Sequence, residues 1–273
     1  MPAQAAHLRD QRLPTAERQA VADAIGVRET HGQPLLQTLA ATLEHLRTDK
    51  KLYFTSEEEI VAKAEASLAR AKAAIPAHFG ILPVSDCRVV EIPAYEAPYT
   101  TIAYYKEPHA DGDKPGEYFI NTFEPATRPR YEMEVLAYHE SIPGHHLQIA
   151  LQLEIEDVPE FRKIYSATAY IEGWALYAEW LADDEGWYSG DPIGRLGFLN
   201  SDLLRARRLV VDTGLHAFGW TRQQVIDYGI SVSEAERYVV FPGQATSYKI
   251  GQLTILKLRR EAEARLGGEF SLP

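Results

Sequence analysis

Apolar residues in the first third of the chain recur at steps of three and four, the spacing of a helix that buries one face. The pattern holds over 34–46, and Ile60, Ala64, Leu68, Ala71 and Ile75 repeat it along the next segment. Ser56 followed by Glu59 has the form of a capping box opening this helix, and Pro76 predicts its end. A more polar stretch over 14–24, with scattered Ala and Val, predicts an earlier helix. After Phe79 the character changes to β-branched and aromatic runs, CRVVEIP, TTIAYY and EYFIN, with turn pairs at Asp111-Gly112 and Pro115-Gly116. These predict two or three strands of a small sheet. Helical spacing then returns over 131–152, interrupted at Pro143-Gly144, and over 161–183 and 193–218. Thr221 and Ser233 open short helices, and 244–266 is the last long one. The expected fold is mainly α with a small inserted sheet, a helical segment over 1–78 preceding the region over 79–273.

Composition narrows the function classes. The 273 residues carry 28 Lys+Arg against 39 Asp+Glu, a formal charge of −11, which argues against nucleic acid as a partner. Cys87 is the one cysteine, so an intramolecular disulfide and a Cys-rich metal site are both excluded. No apolar run approaches the roughly 18 residues of a membrane span, and MPAQAAHLRDQR has no apolar core of a signal peptide. The chain stops at EFSLP after Gly267-Gly268 without a polar tail, which suggests truncation. A single Cys suits the cytoplasm, but a truncated chain also suits a fragment of a longer exported protein; compartment and oligomeric state stay open.

The chemistry concentrates in LAYHESIPGHHLQ, which puts His139, Glu140, His145 and His146 inside an apolar helical frame. Imidazoles with a carboxylate are ligands suited to one zinc ion per chain, and a Glu directly after the first His suits a general base. The spacing departs from H-E-x-x-H, because position 143 is proline. On a straight helix His145 would stand roughly 9 Å along the axis from His139, too far for one ion. Pro143 lacks an N–H and Gly144 permits unusual dihedrals, so a two-residue bulge would bring His145 to the second ligand position. His146 is the alternative ligand, or else a substrate-facing group. Glu172, in the apolar segment AYIEGWALYAEWL, is the candidate third ligand, and Glu179 could orient a ligand His.

RARRLVVDTGLH aligns Arg205, Arg208, Asp212 and His216 along one stripe. The first three read best as a buried salt-bridge stripe, whereas His216 at the helix end is the better functional candidate. In ERYVVFPGQATSYKIG, Arg237 could bind a substrate carboxylate. The strand TTIAYY could pair with an extended substrate, or be plain sheet.

HESIPGHHLQ, EGWALYAEWL, RARRLVVDTGLHAFGWT and ERYVVFPGQATSYKIGQ together resemble the bacterial family filed as domain of unknown function 885. That family is grouped with gluzincin-type zinc peptidases, and its members usually carry a further helical region before the part seen here. The resemblance implies a zincin-like catalytic domain with His139, His145 and Glu172 as zinc ligands and Glu140 as base. It also implies a downstream tyrosine as donor to the oxyanion, Tyr248 first and Tyr238 second. The expected activity is zinc-dependent cleavage of a peptide or peptide-like amide. Two other readings compete: an inactive metal- or peptide-binding protein on the same scaffold, and a structural domain without metal. Ser141 lacks a G-x-S-x-G elbow, which argues against a serine hydrolase.

Overall fold

The computed structural model describes residues 35–109 and 113–272. The expected helix over 14–24 and the Asp111-Gly112 turn lie outside them.

Helix α1 (Leu35–Thr48) leads to α2 (Glu57–Ala74), whose buried face is Ile60, Ala64, Ser67, Leu68 and Ala71. The capping box expected at its start forms only in half. Ser56 Oγ accepts from the Glu59 amide at 3.3 Å, but the Glu59 carboxylate reaches past Ser56 to the amide and hydroxyl of Thr55, at 2.9 and 2.8 Å. Of the orphan donors of the first turn, Ser56 thus satisfies the Glu59 amide, while the Glu59 carboxylate ties down the residue before the cap. Pro76 sits in a single 3-10 turn, Ile75–Ala77, that closes the helix.

Strands β1 (Cys87–Glu91), β2 (Ala103–Lys106) and β3 (Gly116–Ile120) form a sheet of order β1-β3-β2. β1 runs parallel to β3 and β2 antiparallel to it. The central strand is buried at every position, as covering on both faces requires. One face meets the main core, where Phe54, Ile60 and Leu68 pack with Tyr118, Ile120, Tyr138 and Leu147. That core draws on residues from both sides of position 78.

The central helices are α3 (Met133–Glu140), α4 (His145–Glu154), α5 (Glu160–Ile164) and α6 (Thr168–Asp184). The helix expected over 161–183 is two, because α5 is stopped early. Gln152 Nε2 donates to the carbonyls of Arg162, Lys163 and Tyr165, replacing the partners a continuing helix would supply. Then follow α7 (Pro192–Phe218), capped by Asp191 and ended at Gly219 with φ of 66°, and α8 (Arg222–Asp227), which has a complete capping box from Thr221 and Gln224. Helix α9 (Val232–Val240) is capped by Ser231, so it starts slightly before the expected Ser233. The last helix is α10 (Gln244–Leu266).

Helices α6 and α10 meet through two glycines. A Cβ on Gly251 would fall 1.8 Å from the Ala169 carbonyl oxygen, and one on Gly173 would fall 2.4 Å from Gly251 Cα. Both obstacles are backbone, so neither can rotate away. Gly251→Ala should therefore cost stability by about 1–3 kcal/mol in chemical denaturation, the range of overpacked cores. Gly268→Ala, at a position with open space, should leave the midpoint in place.

Candidate metal centre

The site is built on the break between α3 and α4. Residues 141–144 leave the helix together, a wider interruption than the expected two-residue bulge. Ser141 still donates its amide to Ala137 O at 2.9 Å, while the His146 amide returns to Ser141 O at 3.0 Å. Pro143 has no amide to offer, and Trp174 Nε1 holds its carbonyl at 2.9 Å, tying the break to α6. Gly144 lies flat on the end of α3: a Cβ there would sit 1.9 Å from His139 O. The chain turns tightly enough to set the ring of His145 edge-on to that of His139, 4.8 Å between centroids.

Glu172 on α6 completes the group. Its Oε2 lies 3.4 Å from His139 Nε2 and 3.6 Å from His145 Nε2. Tetrahedral zinc with bonds of roughly 2.0–2.1 Å holds its ligand atoms about 3.4 Å apart, so these distances fit one ion. Glu172 Oε2 is also buried without a hydrogen bond, a state that a carboxylate oxygen avoids unless a cation answers it. The ligand atoms of the three residues lie within 4.8 Å of one another.

The surroundings orient these groups. His139 Nδ1 donates to Glu179 Oε1 at 2.7 Å, which fixes the tautomer and leaves the Nε2 lone pair toward Glu172. Glu179 is held in turn by Ser201 Oγ at 2.9 Å, and Ser201 by Arg205 Nη1 at 2.8 Å. Glu140 stands beside the cluster, its Oε2 4.0 Å from His145 Nε2.

Electrostatics set the four groups apart. Burial opposes charge on His139, but the carboxylates of Glu172 and Glu179 beside it outweigh burial and raise its pKa to about 10. Burial, seconded by His139, pushes His145 down to about 3. Glu172 is lowered to about 2 because its contacts with His139, His145 and Tyr248 overcome burial. Burial raises Glu140 to about 7, with Glu172 and Glu179 adding to it and His139 and Arg205 opposing.

The cluster opens into a cleft of about 580 Å³ bordered by β2, α3, α7 and α10. Tyr248 and Arg237 line it, as does Arg205. The Tyr248 ring stacks 6.3 Å from that of His139, and its hydroxyl accepts from Gln244 Nε2 at 3.2 Å.

Three residues expected at the site lie elsewhere. His146 faces the opposite side of α4, where Nδ1 accepts from Tyr105 Oη at 2.9 Å and Nε2 donates to Ser85 O at 3.0 Å. Both nitrogens are spent, so the ring holds a strand and a loop and does not face substrate. His216 is exposed near the end of α7, bonded to Tyr238 O at 3.0 Å, roughly 16 Å of helix beyond Arg205. Tyr238 is buried in a separate core cluster, where its hydroxyl donates to Glu234 at 2.7 Å and accepts from Arg208 at 2.8 Å. Ser201 and Glu132 belong to the site but were not singled out from the sequence. Ser201 continues the Arg205–Arg208 stripe backward by one turn, and Glu132 precedes His139 by two turns on one face, so helical spacing could have found both.

Because Glu179 fixes His139 from behind, Glu179→Gln should weaken zinc binding about 10–100-fold in chelator competition.

A model of the family described as "Bacterial protein of unknown function (DUF885)" matches residues 12–273. A solved structure described as "the putative lipoprotein from Colwellia psychrerythraea" is similar to this chain at 35% identity with a TM-score of 0.83, covering 96% of this chain and 48% of its own. Another, from Shewanella oneidensis and also described as a lipoprotein of unknown function, matches at 20% identity and a TM-score of 0.74, covering 94% and 49%. At that identity the second likeness concerns the fold alone. The chain thus spans about half the length of each of these solved chains. No curated protein matches the sequence.

Proposed function

The chain belongs to the DUF885 family of bacterial proteins of unknown function, and from the cleft it carries we propose a zinc-dependent hydrolase of peptide or peptide-like amide bonds. One observation carries the reading: His139, His145 and Glu172 converge with ligand-like spacing, and a fourth group, the Glu140 carboxylate, stands free beside them. This is the division of labour of gluzincin-type peptidases, three ligands and one base. His139, His145 and Glu172 would hold the ion, which when bound supplies a Lewis acid that acidifies water and polarises a carbonyl.

The protein's own groups do the rest. Glu140 accepts a proton from the attacking water and returns it to the leaving amine. Tyr248, which lines the cleft, donates toward the oxygen where negative charge develops. Glu179 and Ser201 keep His139 in the required tautomer. Leu136, Ile149, Ile171 and Leu204 give the cleft an apolar wall suited to side chains of a short peptide. The descriptions of the solved relatives as lipoproteins support an exported setting, and no helix among the described residues is long and apolar enough to cross a membrane.

The test is a digest of a mixed peptide library by the zinc-reconstituted chain, read by mass spectrometry. New termini should arise, vanish with chelator and return with added zinc. Intact peptides from a chain that holds zinc would reject hydrolysis and leave the metal-binding reading.

A further inference from the structure

Three arginines border the cleft, and they differ in how their guanidinium groups are engaged. Arg237 is exposed and shared between Glu234 at 3.6 Å and Gln244 at 3.4 Å. Arg208 is buried, with Nε on Tyr238 Oη at 2.8 Å and Nη2 on Glu234 at 2.6 Å, which leaves Nη1 buried without an acceptor. Arg205 has one hydrogen bond, from Nη1 to Ser201 Oγ at 2.8 Å; its Nε is buried without an acceptor, and it forms no ion pair with a described residue. Both inner guanidinium groups lie against the Tyr248 ring, 4.7 Å away for Arg208 and 5.8 Å for Arg205.

Two buried donors on neighbouring turns of one helix, both short of acceptors, make an unusual arrangement. Buried donors normally find partners, and a guanidinium is best answered by a carboxylate, which can accept two parallel bonds. Among the neighbouring carboxylates, Glu179 is committed to His139 and Ser201, and Glu234 to Arg208 and Tyr238; Glu132 and Glu140 line the same cleft and feel the Arg205 charge, but neither accepts a hydrogen bond from it. Arg205 and Arg208 border the same cleft as Glu140 and the metal-ligand candidates, so an anion on them would belong to a molecule lying across the centre.

We propose that Arg205, backed by Arg208, binds a carboxylate of the substrate and thereby selects peptides with a free C-terminus or an acidic side chain in this cleft. The inference deepens the hydrolase reading and rests on it for the identity of the ligand as a peptide. It also changes the role expected of the stripe on α7. Arg208 and Asp212 do serve structure, Asp212 accepting from the Gly243 amide at 3.2 Å, whereas Arg205 faces the cleft.

Binding, not turnover, tests this, so that failure of hydrolysis and failure of recognition stay distinct. Calorimetry on zinc-loaded Glu140→Gln would compare acetyl-Ala-Ala-Leu as free acid, the same peptide as C-terminal amide, and acetyl-Ala-Ala-Glu amide. We expect one or both carboxylate peptides to bind about tenfold or more tightly than the leucine amide. Preference for the free acid identifies the C-terminus as the source, and preference for the glutamate amide identifies a side chain. Arg205→Gln should bring the preferred peptide to within about twofold of the leucine amide, as loss of one charge-assisted pair requires. The same comparison on the unsubstituted, metal-free chain covers any misfolding of the variants and removes direct metal–carboxylate binding. Equal affinities for all three peptides, absence of binding by all three, or a preference that survives Arg205→Gln would overturn the proposal.

Discussion

Glu140→Gln should keep its zinc and lose hydrolysis by about 10²–10⁴-fold, the contribution of a positioned general base. The amide matches the carboxylate in shape but cannot take the proton of the attacking water. Metal content should be unchanged because Glu140 is outside the three-residue group whose ligand atoms converge. The two readouts must come from one preparation: zinc by elemental analysis and product by mass spectrometry. Turnover at the unsubstituted rate would place the base elsewhere.

The second large effect separates two adjacent histidines. His145→Ala should weaken zinc binding by more than the roughly 100-fold that loss of an outer hydrogen-bond partner can cost, because it removes a ligand atom. His146→Ala should hold zinc with near-normal affinity in the same chelator competition. Its cost falls on folding. The ring is buried, and its loss leaves Tyr105 Oη and Ser85 O without their partner, so stability should drop by about 1–3 kcal/mol in urea denaturation. The reverse result, zinc lost with His146 and kept with His145, would transfer the ligand role.

That contrast shows how far the sequence could be read. Helix content, the three strands and the break at Pro143-Gly144 follow from local rules: apolar period, turn residues and the missing proline amide. So does the need for a bend, since His139 and His145 cannot share a cluster on a straight helix. The extent of the break was not local. Its four residues are stabilised by Trp174 from α6 and by the close seat of Gly144 on the His139 carbonyl, contacts that sequence spacing does not encode. The split of α5 from α6 has the same origin, a glutamine on α4 that takes the carbonyls ending α5.

Side-chain direction was the other limit. His216 looked functional because a histidine at a helix end is well placed to act, yet α7 carries it past the cleft. Tyr238 and Tyr248 are both tyrosines downstream of Glu172, and only packing distinguishes them. Tyr238 is committed to Arg208 and Glu234, while Tyr248 stacks over His139. Arg205 shows the converse: helical spacing puts it in line with Arg208 and Asp212, but spacing says nothing about which of the two arginines has a carboxylate partner.

The central claim is that one divalent ion sits between His139, His145 and Glu172, and anomalous diffraction at the zinc edge from zinc-reconstituted crystals tests it most directly. The expected result is a single strong peak per chain, bonded to the Nε2 atoms of the two histidines and to a Glu172 oxygen at roughly 2.0–2.2 Å. Elemental analysis of the same protein should return one equivalent of zinc. No peak at this position, less than about a tenth of an equivalent after reconstitution, or an ion bonded to His146 with His145 turned away would contradict the account.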